Sequence, residues 1–370
     1  EAGESPRGAF LMGKKTVYPA FEFKVGGKDL LTEAEFGPDL QEITVSESLA
    51  RLDEVSVRVR WSDDVKDKMK ALEAHGKEFI MTMYGETAPG KWGKAREIHG
   101  DVIELEFSRS GHEEAVTFRG LGPMHRLKVN WQSKIYEKMK QNAVATGVVK
   151  DSGLTGAADG TAGSAQNYIQ GNVSDAEFLA QLQGQNPGFV MRTEKKKVRF
   201  VRADSAGDGT TEKVEWDNIR ELRLRHSLEG VVAAVKAIGY DPVKGKQTKG
   251  EAKASDLKKI SGGKDAATLA KKFKLGKELC FDNLSTGQDT VCKEMAKAEL
   301  QKRADKFVQG NIEIEFAPKA RSGGTLQIEG KNAPWPMTKA KFRISEVTHT
   351  YRDGEAPFTT IEFYSDSLPT

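Results

Sequence analysis

Segments in which apolar and polar residues alternate recur along this chain of 370 residues. The alternation is cleanest in Val17–Val25, where the pair Gly26-Gly27 that follows favours a tight hairpin turn. Further strands are predicted at Val55–Trp61, Phe79–Tyr84, Val102–Phe107 and Ala115–Phe118. Because a period of two places alternate side chains on opposite faces of a strand, the region up to about Pro123 is predicted to form an antiparallel sheet or barrel. One short helix is expected in it, near Asp64–Glu73.

The pattern changes after Pro123. Trp131, Ile135 and Met139 are spaced four apart, which predicts a helix that ends before Gly147. The segment Ser152–Ser164 is rich in Gly, Ala, Ser and Thr and is predicted to be a loop.

A capping box predicts a second helix in this middle region. Ser174 precedes Glu177 by three residues, ahead of an apolar run, so each side chain can bind a backbone N–H at the start of the helix. Beyond it, Phe189–Arg192 and Val198–Val201 flank the charged Thr193–Lys197 and predict a hairpin. Lysines at such a tip resist pairing with strands of other chains.

The last third alternates between strands and one helical block. Strands are predicted at Leu222–His226, Ile312–Phe316, Phe342–Ile344 and Thr360–Tyr364. Val231–Ile238 fits a helix or a strand equally well. Between these strands, Ala252–Phe307 carries a helical stripe with Lys and Glu on its other face, which predicts a helical insertion. The stripe consists of Cys292, Ala296, Leu300, Ala304 and Phe307.

Composition limits the classes of function. The net charge of +3, from 57 basic and 54 acidic residues, is too small to indicate a nucleic-acid partner. No apolar run approaches the about 18 residues of a membrane span. Two cysteines exclude a disulfide framework and a four-cysteine zinc site, although Cys280 and Cys292 remain able to pair.

No motif specifies catalysis, a cofactor or a metal. Gly8–Lys15 nearly matches a phosphate-binding loop, but Lys15 stands where Mg²⁺ binding needs Ser or Thr, and no strand precedes Gly8. The six histidines show no metal-ligand spacing and no recognisable catalytic partner. They are His75, His99, His112, His125, His226 and His349. We therefore predict a protein that is not an enzyme, with no catalytic residues, no cofactor and no metal.

One segment departs from the even distribution of charge. Lys244–Glu278 holds 11 lysines and four acidic residues, a local charge of +7. It contains no arginine, and Phe273 is its only aromatic residue. The segment therefore lacks the side chains that stack on bases or contact them with two hydrogen bonds. Specific nucleic-acid binding is therefore not expected, and a solvated insertion is the simpler interpretation.

Several segments together resemble the phage tail hub proteins, the late control D proteins and their VgrG relatives in injection systems. The resemblance is carried by Tyr168–Gln170, Ser174–Leu179, Gly188–Val190 and the hairpin to Phe200, then by Ala296–Leu300, Gly310–Ile314, Phe342–His349 and Phe358–Phe363. It covers roughly Tyr168 to Phe363. The region before it is consistent with the first barrel of that family but carries no sharp motif.

The resemblance implies a mainly β fold with α+β parts. Residues 1–125 would form a first, tube-like β-barrel, residues 126–205 an α/β connecting domain, and residues 206–370 a second β-barrel carrying the lysine-rich helical insertion at about 252–307. It also favours a strand at Val231–Ile238, and it makes His349 a structural residue of the second barrel.

The function implied is a structural baseplate hub of a contractile phage tail or tail-like injection particle, assembled in the bacterial cytoplasm. Three copies would adapt a six-fold inner tube to a three-fold spike. The expected partners are two further copies, the inner tube protein, tape-measure and other baseplate proteins, and a spike supplied by a separate chain, since the sequence stops at Thr370. The last residues are predicted to contact that spike, unless they form a frayed terminus. They are Ser365, Asp366, Ser367, Leu368, Pro369 and Thr370.

Two alternative functions are compatible with the sequence. One is a tail-associated cell-wall hydrolase, because carboxylates are abundant enough to supply a catalytic pair. The other is a module that binds or guides DNA through the lysine-rich insertion.

Overall fold

Strands dominate the fold, as the alternating pattern predicts. The computed structural model describes residues 11–12, 15–16, 20–32, 35–88, 91–186, 188–207, 209–241, 244–284, 287–334, 337 and 339–369. The near-match to a phosphate-binding loop at Gly8–Lys15 and the beginning of Val17–Val25 fall mostly outside the described residues. Among the described residues, no helix is long and apolar enough to cross a membrane.

The described residues of the first third of the chain form nine strands and one α-helix. They are β1 Leu11–Met12, β2 Lys15–Thr16, β3 Phe21–Val25, β4 Lys28–Asp29, β5 Leu40–Ser48, β6 Glu54–Arg60, α1 Asp63–Leu72, β7 Glu78–Ala88, β8 Lys91–Ser110 and β9 Glu113–Leu121. The predicted turn at Gly26-Gly27 is confirmed, because both glycines have positive φ and join Val25 to its pairing partner Lys28. The predicted short helix is α1, and the Ser62 side chain caps its first turn.

The middle of the chain alternates helices and strands. They are α2 Arg126–Val129, β10 Trp131–Met139, α3 Gln141–Asp151, β11 Thr155–Ala158, β12 Gln166–Ser174, α4 Asp175–Gly184, β13 Phe189–Glu194 and β14 Lys197–Arg202. The capping box is confirmed, since the Glu177 N–H donates to Ser174 Oγ at 3.2 Å and the Ser174 N–H donates to Glu177 Oε2 at 2.9 Å. The hairpin of β13 and β14 is confirmed as well.

The helix predicted at Trp131–Met139 is wrong. This segment is β10, which pairs with β12 as a two-stranded ribbon with Ile135 opposite Ile169. A spacing of four is compatible with both periods, because residues four apart share a helix face and also share a strand face. Packing favours the strand. On the inner face of the ribbon, Tyr136 is buried and stacks on Phe178 of α4, with ring centroids 5.8 Å apart.

The last part of the chain returns to strands around a small α/β layer. Its elements are β15 Thr211–Glu215, β16 Ile219–His226, β17 Ala234–Asp241, β18 Lys246–Lys253, α5 Ala266–Lys272, β19 Leu279–Leu284, α6 Asp289–Ala304, β20 Val308–Glu315, β21 Thr325–Glu329, β22 Lys341–Arg352 and β23 Phe358–Ser365. The strand expected at Val231–Ile238 corresponds to β17, which begins three residues later.

The lysine-rich insertion is not purely helical. The predicted stripe does form α6, with Cys292, Ala296, Leu300 and Ala304 buried. However, β19 lies within the insertion and pairs with β17, whose other neighbour is β18. Helix α6 lies so close to β18 that a Cβ at Gly250 would stand 2.1 Å from the Lys293 nitrogen. The insertion is therefore an α/β layer, because its short apolar segments bury more surface as a sheet under a helix.

Three hydrophobic cores lie in succession along the chain. The N-terminal core gathers buried residues from Ala20 to Phe118, together with Tyr351. The central core runs from Met124 to Phe200. The C-terminal core runs from Val214 to Phe363 and includes the inner face of the α/β layer. These names are used below for the three cores.

One antiparallel connection joins the two β-rich parts. β5 of the N-terminal part pairs with β22 of the C-terminal part over seven residue pairs, from Ser48–Glu346 to Glu42–Arg352. The main strands therefore belong to a single 13-stranded sheet. The mainly β class is confirmed, whereas in the described residues the pairings do not close two separate barrels, since an edge of each part is used to join the other.

Candidate assembly interface

The large sheet contains an eight-stranded stretch in the order β16, β20, β23, β22, β5, β6, β9 and β8. β16 pairs on one side, with β20. The pairing of β8 with β7 ends at Asp101, and from there to Ser110 the strand pairs with β9. The Val102 backbone still bonds to Gly76 and Lys77. Within the described residues, the stretch therefore ends in two unpaired edges, one on β16 and one on Ile103–Ser110 of β8. Unpaired N–H and C=O groups are templates for pairing with another strand.

The β8 edge exposes apolar side chains. Phe107 is 54% exposed and Ile103 is 38% exposed. Phe107 contacts the Trp61 ring edge-on at 5.2 Å, which holds the side chain at the border of the N-terminal core. On the opposite edge, Leu222 and Leu224 of β16 pack against the C-terminal core but remain partly exposed. Each edge thus carries apolar surface that a neighbouring strand would cover.

The charges of the two edges are opposite in sign. β16 holds three arginines and one glutamate, whereas Ile103–Ser110 holds two glutamates and one arginine. Arg223 and Arg225 alternate with the core-facing leucines and are exposed, and Glu104 and Glu106 do the same on β8. Their contacts within the chain are surface ion pairs, such as Glu104–Arg119 at 3.0 Å, which contribute little to stability and are easily exchanged.

A buried ionic junction links the three cores. Glu47 of β5 is 3% exposed and accepts a hydrogen bond from Arg96 of β8. A second N–H of the same guanidinium donates to the carbonyl of Ala320 at 2.9 Å. Arg192 of β13 is buried beside this pair and donates to the carbonyl of Ser322 at 2.7 Å. Burial and the nearby Glu47 raise the pKa of Asp53 to about 7, against the opposing effect of the two arginines.

The predicted spike-contact residues are largely built into the chain. Ser365, Asp366 and Ser367 are fully buried. The Asp366 carboxylate accepts hydrogen bonds from the backbone N–H groups of Lys259 and Ile260, at 2.9 and 2.7 Å. It also accepts from the Gln301 side chain at 2.9 Å.

This burial restricts how the end of the chain can contact a partner. Three of the predicted residues bind the insertion of their own chain, so they are not frayed in this conformation. The remaining surface is that of Leu368 and Pro369, which are partly exposed, while Thr370 lies outside the described residues. Spike contact by these last residues stays a prediction.

A second exposed apolar surface lies on the ribbon of β10 and β12. Its outer face carries Trp131, Ile135 and Ile169, which are 58–68% exposed, and Val129 precedes it. Sequence reasoning missed this surface because it assigned the segment to an amphipathic helix. The strand alternation of Tyr168 with Ile169 was the available signal.

The histidines do not converge on one site. His349 is fully buried, with its Nδ1 at 3.0 Å from Thr359 Oγ1, and His125 lies at 2.7 Å from the Asp101 carboxylate. His75, His112 and His226 are exposed in separate elements. Across the described residues, no group of three or more His, Cys, Asp or Glu side chains could hold a metal ion. Cys280 is exposed and Cys292 buried, and both are free thiols.

The burial of His349 predicts a pH effect on stability. Burial, with the nearby Arg96, lowers the pKa of His349 to about 3, below the ordinary 6.5 that the unfolded chain would show. The neutral ring therefore stabilises the fold fully above pH 6.5, and this contribution is lost as the pH falls toward 3. Urea unfolding of the wild type and of His349→Gln between pH 7 and pH 4 measures it. The difference in the free energy of unfolding between the two proteins should become smaller as the pH falls. A difference that does not change with pH would contradict a buried, neutral His349.

The comparisons with known proteins match this architecture. The family model described as the Alg8 N-terminal domain matches residues 104–353. The chain belongs to the Alg8 N-terminal domain family. None of the curated proteins matches it in sequence.

Solved structures with the same fold come from phage tails and a secretion system. The 43 kDa tail protein of prophage MuSo2 from Shewanella oneidensis superimposes with a TM-score of 0.65 at 14% identity, over 94% of this chain and 99% of its own. The tail protein of Neisseria meningitidis MC58 gives 0.63 at 10% identity, over 94% and 97%. The E. coli c3393 protein, a type VI secretion component similar to the T4 tail proteins gp27 and gp5, gives 0.56 at 12% identity, over 93% and 77%. At these identities the similarity establishes a shared fold.

Proposed function

We propose that this chain is a structural baseplate hub of a contractile phage tail or tail-like injection particle. Three copies would form an adaptor between the inner tube and the central spike, within the late control D and VgrG-like group. The observation that carries this proposal is the pair of complementary free edges on the eight-stranded stretch. The shared fold with tail proteins over more than nine-tenths of the chain supports it.

The internal connection between β5 and β22 suggests how copies would join. That connection already pairs one β-rich part with the other, edge to edge. The same kind of pairing between β16 of one copy and Ile103–Ser110 of the next would be heterologous, and a rotation that closes it gives a ring. A ring of three copies contains six β-rich parts, which matches a six-fold tube on one face while keeping three-fold symmetry for a spike.

The three cores suggest that different parts of each copy have different roles in the assembly. We assign residues 1–125 and 206–370 to two barrel-like parts of the ring and residues 126–205 to a connecting domain. The exposed ribbon of β10 and β12 lies on that connecting domain and is a separate sheet from the stretch. It would serve tape-measure or other baseplate proteins, while inner tube and spike would bind the two faces of the ring.

Charge reversal at the edges tests the proposal. Light scattering coupled to gel filtration should give a trimer for the wild type, and negative-stain images should show closed rings. Arg223→Glu with Arg225→Glu should yield a monomer, because like charges would then face each other across the joint. Reversing Glu104 and Glu106 to Arg in the same chain should restore the trimer.

Other outcomes would redirect the assignment. A wild-type chain that stays monomeric at all concentrations, including with tube and spike proteins present, would overturn the hub. A purified chain that clears peptidoglycan would favour the cell-wall hydrolase instead.

A further inference from the structure

The segment Lys271–Lys277, called here the cationic loop, is the most uniformly exposed part of the insertion. It begins in the last turn of α5, and all seven of its residues are exposed. Four of them are lysines and none is acidic. The cationic loop therefore concentrates positive charge at one protruding point of a chain whose overall charge is nearly balanced.

Those four lysines differ from three lysines earlier in the insertion. Lys253, Lys258 and Lys259 each bind a carboxylate, at 3.1, 2.8 and 3.2 Å. In the described part of the chain, no carboxylate lies within ion-pair distance of a cationic-loop lysine. Lys272 instead lies over the Phe273 ring, 5.7 Å from its centroid. The positive charge of the loop is therefore available to an anionic binding partner.

Two apolar side chains project between these lysines. Phe273 is 58% exposed and Leu275 is 46% exposed. They flank Lys274, whose φ of 56° turns the chain sharply. Large apolar side chains held in water among unpaired cations favour a partner that offers both an apolar phase and negative charge.

The backbone fixes this presentation. The Leu275 N–H donates to the Ala270 carbonyl at 2.9 Å, and the Ala233 N–H donates to the Gly276 carbonyl at 2.9 Å. A side chain at Gly276 would place its Cβ 2.7 Å from the Val231 carbonyl, so this close approach to the sheet requires glycine. The two apolar side chains are therefore held outward by a braced turn.

We propose that the cationic loop docks on an anionic membrane surface, with Phe273 and Leu275 inserted at the level of the headgroups. Lysines attract the negative potential of anionic lipids, and apolar side chains between them add burial in the interface. Nucleic acid fits less well, because Leu275 cannot stack on bases and the loop lacks the arginine that reads phosphates and bases bidentately. This inference does not depend on the hub role.

Vesicle flotation tests the proposal on the full chain. The probes are vesicles of phosphatidylcholine alone and with three-tenths phosphatidylglycerol. The wild type should float with the anionic vesicles only. Changing Lys271, Lys272, Lys274 and Lys277 to Gln, or Phe273 and Leu275 to Ser, should each reduce the bound fraction at least about tenfold. The matched control changes four exposed lysines elsewhere to Gln and should bind like the wild type: Lys128, Lys138, Lys302 and Lys331.

The remaining outcomes count against the proposal. Absence of flotation with anionic vesicles, equal loss in the control variant, or undiminished binding by either loop variant would overturn it. Tighter binding of duplex DNA than of vesicles by the same loop would replace the membrane with a nucleic acid. The altered side chains are exposed, so circular dichroism should show that the loop variants fold like the wild type.

Discussion

Phe107→Asp is expected to convert the proposed trimer into a folded monomer. The phenyl ring is 54% exposed on the unpaired edge of β8, so a neighbouring copy would bury the remainder of it. An aspartate at that position would have to lose its water on the apolar face of the joint, opposite Leu222 and Leu224 of β16 rather than its arginines. Analytical ultracentrifugation between low and high micromolar concentration should then show a single species with the mass of one chain.

A second phenylalanine provides the control. Phe273 is 58% exposed but lies on the cationic loop, which belongs to neither β16 nor β8. Phe273→Asp introduces the same charge at the same exposure and should leave the trimer intact. If both variants dissociate, or neither does, the β8 edge is not the joint between copies. Thermal melts should show that Phe107→Asp remains folded, since the ring is half-exposed and makes an edge contact with Trp61 rather than filling the core.

Local features of the fold could be predicted from the sequence because their causes are local. The alternation in Val55–Trp61 fixes a strand wherever that strand pairs, and the two glycines at Gly26-Gly27 supply the positive φ of their turn. The capping box at Ser174 and Glu177 depends on a spacing of three residues and nothing beyond it. The helical stripe of α6 was predictable for the same reason.

Features that depend on distant parts of the chain were not predictable. One neighbour of β5 is β22, which lies about 300 residues further along the chain. No local sequence pattern predicts that pairing. The ribbon of β10 and β12 was missed because a spacing of four also fits a helix. The burial of Asp366 depends on the insertion folding back onto it, and charged residues near a terminus otherwise suggest exposure.

The ionic junction also depends on residues that are distant in the sequence. Glu47 and Asp53 lie near one turn, but the arginines beside them come from β8 and β13. Sequence alone shows four charged residues among more than a hundred. In the fold Arg96 joins Glu47 to the Ala320 carbonyl and Arg192 binds the Ser322 carbonyl, so this polar contact spans all three parts of the chain.

Arg96→Met is therefore expected to lower the free energy of unfolding by about 3–5 kcal/mol, because it leaves the buried Glu47 carboxylate without its cation. The matched control is Arg51→Met, which removes the partner of Glu346 at an exposed ion pair and should cost about 0–1 kcal/mol. Chemical denaturation of both variants measures the difference. Equal losses in the two variants would mean that the junction contributes no more than a surface ion pair.

The pH dependence of the Arg96→Met loss separates a charge effect from a packing effect. In the wild type the pKa of Asp53 already stands near 7, raised by burial and by Glu47 and held down by Arg96. Without Arg96 that pKa should rise further above its unfolded value of 3.8. A carboxyl group whose folded pKa is raised binds a proton more tightly in the native state, so its cost to stability falls as the pH drops toward the unfolded pKa. The loss caused by Arg96→Met should thus shrink between pH 8 and pH 5, and the double variant Glu47→Met with Arg96→Met should recover part of the stability at pH 8. A loss that is the same at both pH values would assign the role of Arg96 to packing.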